Sequence, residues 1–459
     1  MTVNIHMDNI SSYFENLPLR ISHEISKELS YEQTNFFSSN INVVKMFERG
    51  KNITYTGLVP RAIKILKEFN IKYKIYDNRQ NYETNATFPL LPEFQLRDYQ
   101  EEIVTRSTSR EIIQAATGAG KTFIMYNLIR KFSVKPVIVI APKVSLAEQI
   151  KEEFERFSGS EIGLFTGSIK EIKDITICTP GSATEELLQS AKAIFFDECH
   201  NVPSNTIFEC AKKAINAFYR IGVSATPWRD SGDDIVIEAA LSIRKPHLSI
   251  NASKLIEKGK LVPCNIYFVP FEQSYEWQGS YEKTYDIAIA FNEQRNNLIS
   301  KLAHKASFLN NRTTLILVKK IKQGELIEKE IKLLIENNET VTYNDIEISR
   351  IEFLSGKDSA AKREAVFESI KNGFTKILIG STIADEGLNL PILDCLILAG
   401  GGKSSTKSFQ RVGRVLRLYQ HKKNAIVFDF MDNTPTFMRH SLTRKSLYQT
   451  EPLWKINYL

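Results

Sequence analysis

The sequence predicts an α/β protein with two parallel sheets in tandem, preceded by a small α+β domain. Three observations carry that prediction. A strand, a glycine-rich turn and an amphipathic helix follow one another in "REIIQAATGAGKTFIMYNLIRKF", residues 110–132. Short apolar runs ending in small or polar residues recur in two separate series, the pattern of β-α alternation. Finally, "NYETNATFPLLPEFQ" (81–95) is rich in Pro and Asn and lacks periodicity, so it reads as a boundary after the first 90 residues.

Residues 1–90 form the expected N-terminal accessory domain. "LVPRAIKILKEFN" predicts a helix and "IKYKIYD" a strand. From Val43 to Arg79 the chain carries nine Lys or Arg, with Phe47, Tyr55, Phe69, Tyr73 and Tyr76 interleaved. Cations that neutralise phosphates and rings that stack on bases suit a nucleic-acid surface. A solvated helix face with ordinary core aromatics accounts for the same composition, and the residues alone leave both open.

Residues 91–245 form the first expected lobe. After the glycine turn, Phe123, Ile124, Leu128 and Phe132 recur at helical spacing, and "KPVIVIAP", "DITICTP", "AKAIFFDE" and "FYRIGVSAT" follow as buried strands. Residues 246–262 read as a linker, with a new unit starting near Pro263. Residues 263–459 form the second lobe, with strands in "TTLILVKK", "RIEFLSG", "TKILIGST", "LDCLILAG" and "NAIVFDF" and a short C-terminal tail. Parallel sheets of this kind place their ligands at the carboxyl ends of the strands.

At 459 residues the chain suits several domains, each with its own core. No apolar run approaches the ~20 residues of a membrane helix, and the start lacks a signal peptide's pattern, so a cytoplasmic protein is expected. Five scattered cysteines without a C-x-x-C pair argue against a disulfide framework or a zinc ribbon. The net charge of +7 permits a polyanionic partner without demanding one.

The motif with the clearest chemistry is "AATGAGKT", 115–122, placed between strand and helix as a P-loop requires. Thr117, Gly118, Ala119 and Gly120 let backbone N–H groups approach phosphates at a helix N-terminus. Lys121 reaches the terminal phosphates and the Thr122 hydroxyl suits Mg²⁺. Position 115 is Ala where the general pattern has Gly.

"FFDECH" sets Asp197, Glu198, Cys199 and His200 side by side at the end of a later strand. Alone they could be a metal site, a redox pair or the acidic end of a nucleotide pocket. With a P-loop upstream, Asp197 can hold Mg²⁺ through water and Glu198 can orient or deprotonate the attacking water. A zinc site would need further Cys or His ligands at zinc-like spacing, and none follows.

These motifs stand in a recognisable order. "LRDYQ" (96–100), "ATGAGKT" (116–122), "VIAPKVSLAEQ" (139–149), "TICTPG" (176–181), "DECH" (197–200), "SATP" (224–227), "GSTIADEGLNLP" (380–391) and "QRVGRVLR" (410–417) resemble the motifs of superfamily 2 helicases. "SATPWRDSGDD" and "QRVGRVLR" resemble the branch that holds XPB-type translocases and bacteriophage UvsW-like helicases. The compact size and basic N-terminal domain favour the UvsW-like side.

The resemblance implies two RecA-like lobes, ATP with Mg²⁺ between them, and ATP-driven remodelling of branched or forked DNA during replication, recombination or repair. It implies that Gln100 reads the adenine edge with Arg97 or Tyr99 near the base, and that His200, Ser224, Thr226 and Gln410 couple nucleotide state to lobe movement. Arg414 and Arg417, three apart on one short helix, match arginine fingers, with Arg411 beside them. Gly387 would allow close backbone approach to the nucleotide. Pro142, Lys143, Thr179 and Gly181 fall in motifs that face the nucleic-acid backbone.

A monomer is expected, with recombination or replication proteins as possible partners. An RNA helicase would share every motif from 96 to 417. A restriction-type motor subunit would share the engine, but no nuclease constellation is recognisable. A non-catalytic nucleic-acid-binding scaffold with a vestigial nucleotide site is the alternative of another class.

Overall fold

The computed structural model describes residues 2–34, 41–228, 232–242, 248–273, 279–336, 351–381, 390–402 and 405–459. It divides into two compact units, Met1–Ile250 and Asn251–Leu459.

The first unit opens with strands β1 (Thr2–Met7), β2 (Ser11–Glu15), β3 (Ser30–Thr34), β4 (Ile41–Lys45), β5 (Phe47–Glu48), β6 (Ile53–Tyr55) and β7 (Lys72–Asp77). Five of them form a mixed sheet in the order β5-β6-β2-β1-β7, while β3 and β4 pair as a separate ribbon. The β1 sequence "TVNIHM" alternates, which buries Val3, Ile5 and Met7 and turns Asn4 and His6 to the other face. Ile21 and Ile25 of helix Leu19–Glu28, and Ala62, Ile65 and Leu66 of helix Val59–Glu68, close that core. The helix and strand read from residues 58–77 lie within one or two residues of their expected places, whereas β1 to β6 carried no sequence assignment.

This small domain is seated on the rest of its unit. Ile235, Val236 and Ala239 of helix Asp234–Leu241 share its core. Arg61 clasps Glu238 through Nε at 2.8 Å and a terminal nitrogen at 3.0 Å. At Gly57 an added Cβ would lie 1.9 Å from the Glu238 carbonyl oxygen, so the close approach requires glycine. The aperiodic segment 81–95 is laid along the helices that follow it. Ala86 N–H donates to Ser133, Leu91 N–H to Phe157, and the Tyr126 hydroxyl to Pro89.

Next come β8 (Arg110–Ala115), β9 (Val137–Ile140), β10 (Gly163–Phe165), β11 (Ile175–Cys178), β12 (Ala193–Asp197), β13 (Tyr219–Ser224) and β14 (Leu248–Ile250). They form one sheet in the order β10-β11-β9-β12-β13-β8-β14, and every pairing is parallel. Such strands are covered on both faces, which explains their continuous apolar runs.

The second unit holds β15 (Cys264–Phe271), β16 (Thr314–Leu317), β17 (Ile351–Leu354), β18 (Ile377–Gly380), β19 (Cys395–Leu398), β20 (Ala425–Asp432) and β21 (Trp454–Tyr458). Their order is β17-β18-β16-β19-β20-β15-β21, again all parallel. Numbered within its own unit, each sheet runs 3-4-2-5-6-1-7. The chain therefore uses one topology twice, and both sheets carry the open α/β architecture expected of two tandem RecA-like lobes.

Two expectations are corrected here. Residues 246–262, read as a linker, contain β14, an edge strand of the first sheet, and helix Ala252–Glu257 of the second unit. That helix begins under Glu451, whose carboxylate accepts from the backbone N–H groups of Ala252 (3.0 Å) and Ser253 (2.8 Å). The C-terminal tail likewise ends in β21, which pairs with β15 and closes that edge of the sheet.

Candidate nucleotide and nucleic-acid site

Five strands of the first sheet end at one edge, and their order sorts the motif residues. The loops after β11 and β9 carry Thr179, Gly181, Pro142 and Lys143; the ends of β12, β13 and β8 carry Asp197, Ser224 and the P-loop. One carboxyl edge therefore holds the expected nucleic-acid residues on one side and the expected nucleotide residues on the other.

The P-loop turn is built by backbone chemistry. Gly118 and Gly120 take φ of +90° and +78°, a left-handed geometry that bends the chain into helix Lys121–Phe132 and points amides into the turn. Thr117 precedes them, Ala119 is fully buried, and Thr122 lies in the first helical turn. Gln100 supports the turn from outside. Its amide nitrogen donates to the Ala119 carbonyl at 2.8 Å and its oxygen accepts from Arg97 N–H at 3.0 Å. The Tyr99 hydroxyl also donates to the Ala119 carbonyl, and the exposed Arg97 guanidinium donates to that hydroxyl at 2.9 Å. Gln100 is therefore a clamp on the P-loop.

Lys121 Nζ pairs with Glu198 Oε1. Glu198 sits in a left-handed conformation, φ 47° and ψ 55°, that swings its side chain away from the strand ending at Asp197. Its other oxygen accepts from Ser224 Oγ at 3.2 Å. His200 Nδ1 lies 3.0 Å from Ser224 Oγ and 3.3 Å from Glu198 Oε2, and Thr226 N–H donates to the same Ser224 oxygen. Because the serine proton is directed at Glu198, Nδ1 of His200 carries the hydrogen it shares with Ser224. The residues expected to couple, His200, Ser224 and Thr226, thus form one hydrogen-bonded chain ending on Glu198.

The charges of this cluster follow from its shape. Burial works against charge on Lys121, yet the carboxylates of Glu198 and Asp197 hold its pKa above the usual lysine value. Burial also disfavours charge on Glu198, but Lys121 and His200 outweigh it and keep Glu198 far below the carboxylate range. Asp197 is pushed up to about 6, first by burial and then by Glu198, with Lys121 opposing. Two adjacent carboxylates form a donor set that suits a divalent cation, and the Thr122 hydroxyl suits the same role.

Cys199 is 1 % exposed within the apolar cluster behind the strand, its thiol pKa raised by burial, and all five cysteines are free and buried. Among the described residues no group of three or more His, Cys, Asp or Glu is arranged to hold a metal ion. Nor is any helix among them long and apolar enough to cross a membrane.

Thr179 is buried and its hydroxyl donates to Ser182 Oγ at 3.0 Å, while Lys143 and Gly181 are exposed and Pro142 is half-buried. Gln410, Arg411 and Arg414 lie on helix Ser405–Val415 of the second unit. Arg417 does not share that helix as expected; it lies beyond the last turn, bridged to Leu261. Gly387, with Asp385, Glu386 and Asn389, lies outside the described residues.

Sequence reading missed several positioning residues. Asn201 donates to the Glu198 carbonyl at 3.1 Å and holds the strained turn; its place three residues after Glu198 was the available signal. In the second unit, the glycine-rich segment 399–402 leads toward helix Ser405–Val415, and three side chains hold its carbonyls. Arg295 donates to Ala399 at 2.6 Å, the Tyr285 hydroxyl to Gly400 at 2.6 Å, and Arg444 to Gly402 at 2.8 Å. Arg295 and Arg444 are fixed in turn by buried Asp432 and Asp429. Carbonyl partners 42 to 115 residues apart leave no local pattern to read.

A left-handed glycine turn, a lysine at the helix start and an acidic pair two strands away define a P-loop nucleotide hydrolase with two parallel-sheet units. Family comparison narrows the class. Residues 93–229 match the type III restriction enzyme res subunit family, and residues 294–419 match the helicase conserved C-terminal domain. The chain is 26% identical to the DNA 3'-5' translocase XPB2 of Sulfurisphaera tokodaii, over 80% of this chain and 88% of that protein. It is 25% identical to the ATP-dependent DNA helicase uvsW of Enterobacteria phage T4, over 78% of this chain and 72% of that protein. The ATP-dependent Type ISP restriction-modification enzyme LlaBIII bound to DNA shares the fold, with a TM-score of 0.55, 13% identity, and coverage of 80% of this chain and 31% of the other. The chain is an ATP-driven helicase, similar to the UvsW- and XPB-type proteins of superfamily 2.

Proposed function

We propose that this helicase is a DNA motor that remodels forked or branched duplex. The observation that carries the reading is the first sheet's carboxyl edge. There the chain Lys121–Glu198–Ser224–His200 lies beside the loops of Pro142 and Lys143 and of Thr179 and Gly181, so a change in nucleotide state has a short physical route to a phosphate backbone. The resemblance to UvsW-like proteins supports branched DNA as the substrate.

Residues 117–120 cradle the phosphates of ATP, and Arg97 with Gln100 borders the base. Lys121 cannot hold Glu198 and a phosphate equally well. An arriving phosphate draws Lys121 away and leaves Glu198 to take a proton from the attacking water. Thr122 and Asp197 would hold Mg²⁺, which when bound neutralises phosphate charge. Ser224, His200 and Thr226 register the change at Glu198. Arg414 and Arg417 stabilise charge on the transferring phosphoryl group from the second lobe, with Gln410 on the same helix as Arg414. Hydrolysis then depends on lobe closure, and closure moves the second lobe along the nucleic-acid backbone. The N-terminal domain supplies additional grip near a junction.

Steady-state ATP hydrolysis across single strands, blunt duplex, forks, four-way junctions and RNA tests the assignment. Forks and junctions are expected to stimulate most, with Lys121→Ala abolishing the stimulation. Equal stimulation by RNA and branched DNA would sink the DNA-remodelling reading. Stimulation that survives Lys121→Ala would sink the motor itself.

A further inference from the structure

The outward face of the N-terminal sheet carries a row of rings that the motor does not use. Register places His6 of β1 opposite Tyr13 of β2 on one side and Tyr76 of β7 on the other. His6 and Tyr76 stack at 4.8 Å between centroids with 7° between planes, and His6 and Tyr13 lie 6.2 Å apart at 29°. Lys74 Nζ closes the Tyr76 end, 4.7 Å from that ring's centroid. At the other end Tyr13 is 45% exposed. Lys72, two residues before Lys74 on the same strand and exposed like it, faces the same side. The carboxylate beside His6, that of Glu15, accepts from Asn4 Nδ2 at 2.7 Å and lies 3.7 Å from His6 Nε2.

We infer that this row is a stacking platform for unpaired bases of single-stranded nucleic acid, with Lys72 and Lys74 placed for the adjacent phosphates. Cross-strand ring pairs do stabilise a sheet. That role is met by His6 and Tyr76 and leaves the exposed Tyr13 and the two lysines unexplained. A ring that ends a stack and stays open to solvent suits a base, and the lysines at the far end of the row suit phosphates; duplex DNA hides its base faces and would engage only the lysines. At a fork the platform would hold the displaced strand. The inference rests on the reading of the N-terminal domain as nucleic-acid-binding.

The test uses the full chain and anisotropy with a labelled oligothymidylate and a blunt duplex. Tyr13→Ala is expected to weaken oligothymidylate binding about fivefold or more and leave duplex binding unchanged, while Tyr13→Phe binds both as the parent does. Lys74→Ala is expected to weaken both probes and to lower the salt slope by about one. Cross-linking with 5-iodouracil in the same oligonucleotide, mapped by mass spectrometry, is expected to mark Tyr13. The platform is overturned by wild-type oligothymidylate binding in Tyr13→Ala, by equal loss on both probes in that variant, or by cross-links confined to other regions. The motor reading is judged separately, by stimulated hydrolysis in Lys121→Ala.

Discussion

Glu198 and Cys199 are neighbours in the chain and opposites in environment. The left-handed turn at Glu198 sends its carboxylate to Lys121 and Ser224, while Cys199 points into the apolar cluster behind β12. Glu198→Gln keeps the size and one hydrogen-bond acceptor but removes the charge and the proton-accepting ability. Hydrolysis is expected to fall by about 10²-fold or more, the scale of a lost general base, with binding of a fluorescent ATP analogue retained. Retention is expected because the lysine is then less strongly engaged within the protein. Cys199→Ala, measured in the same assays, is expected to leave hydrolysis within about twofold, since a buried thiol acts as a small apolar group. A large ATPase loss in Cys199→Ala, or its restoration by added zinc, would return the cluster to the metal-site reading.

At the scale of elements, the P-loop and the acidic strand end were legible because their chemistry restricts residue choice locally. Only glycine takes the φ of Gly118 and Gly120 without strain, and an acidic pair ending the buried run "AIFF" needs a cation to answer its charge. Elements without such demands stayed hidden. β14 is three residues long, and β21, "WKINY", is an edge strand with little apolar continuity. Both are fixed by pairing with strands far away in the chain, β8 and β15. The second unit's buried ion pairs were equally unreadable. Arg444 binds both oxygens of Asp429, at 2.9 and 2.6 Å, with side chains 2% and 0% exposed. Arg444→Met would leave Asp429 buried and short of its charge partner, with the Tyr448 hydroxyl at 3.0 Å still directed at it. A loss of about 3–5 kcal/mol in the denaturant unfolding of this unit is expected. Adding Asp429→Leu should recover part of it. No recovery in the double variant would show that the packing of Arg444 matters more than the charge.

At the scale of the whole molecule, one strand order used twice places strand ends of the same rank in both units, but the residues proposed for the chemistry are distributed over both. The first carries the glycine turn, Lys121 and the acidic pair; the second carries Arg414 on its helix and Arg417 just past it. If hydrolysis needs both lobes, loss of either arginine should impair turnover without impairing the nucleotide pocket of the first. Arg414→Ala and Arg417→Ala are each expected to lower stimulated hydrolysis by about 10²-fold or more, within the range known for charge-stabilising arginines. Affinity for a fluorescent ATP analogue should change far less. Lysine tests why arginine is required: Arg414→Lys keeps the charge and loses the planar fork, so most of the defect should remain. Arg417 needs one further control, because its backbone bridge to Leu261 ties the end of this helix to the start of the unit. A variant whose unfolding midpoint falls along with its turnover would assign Arg417 to the fold, whereas an unchanged midpoint with lost turnover would assign it to the chemistry.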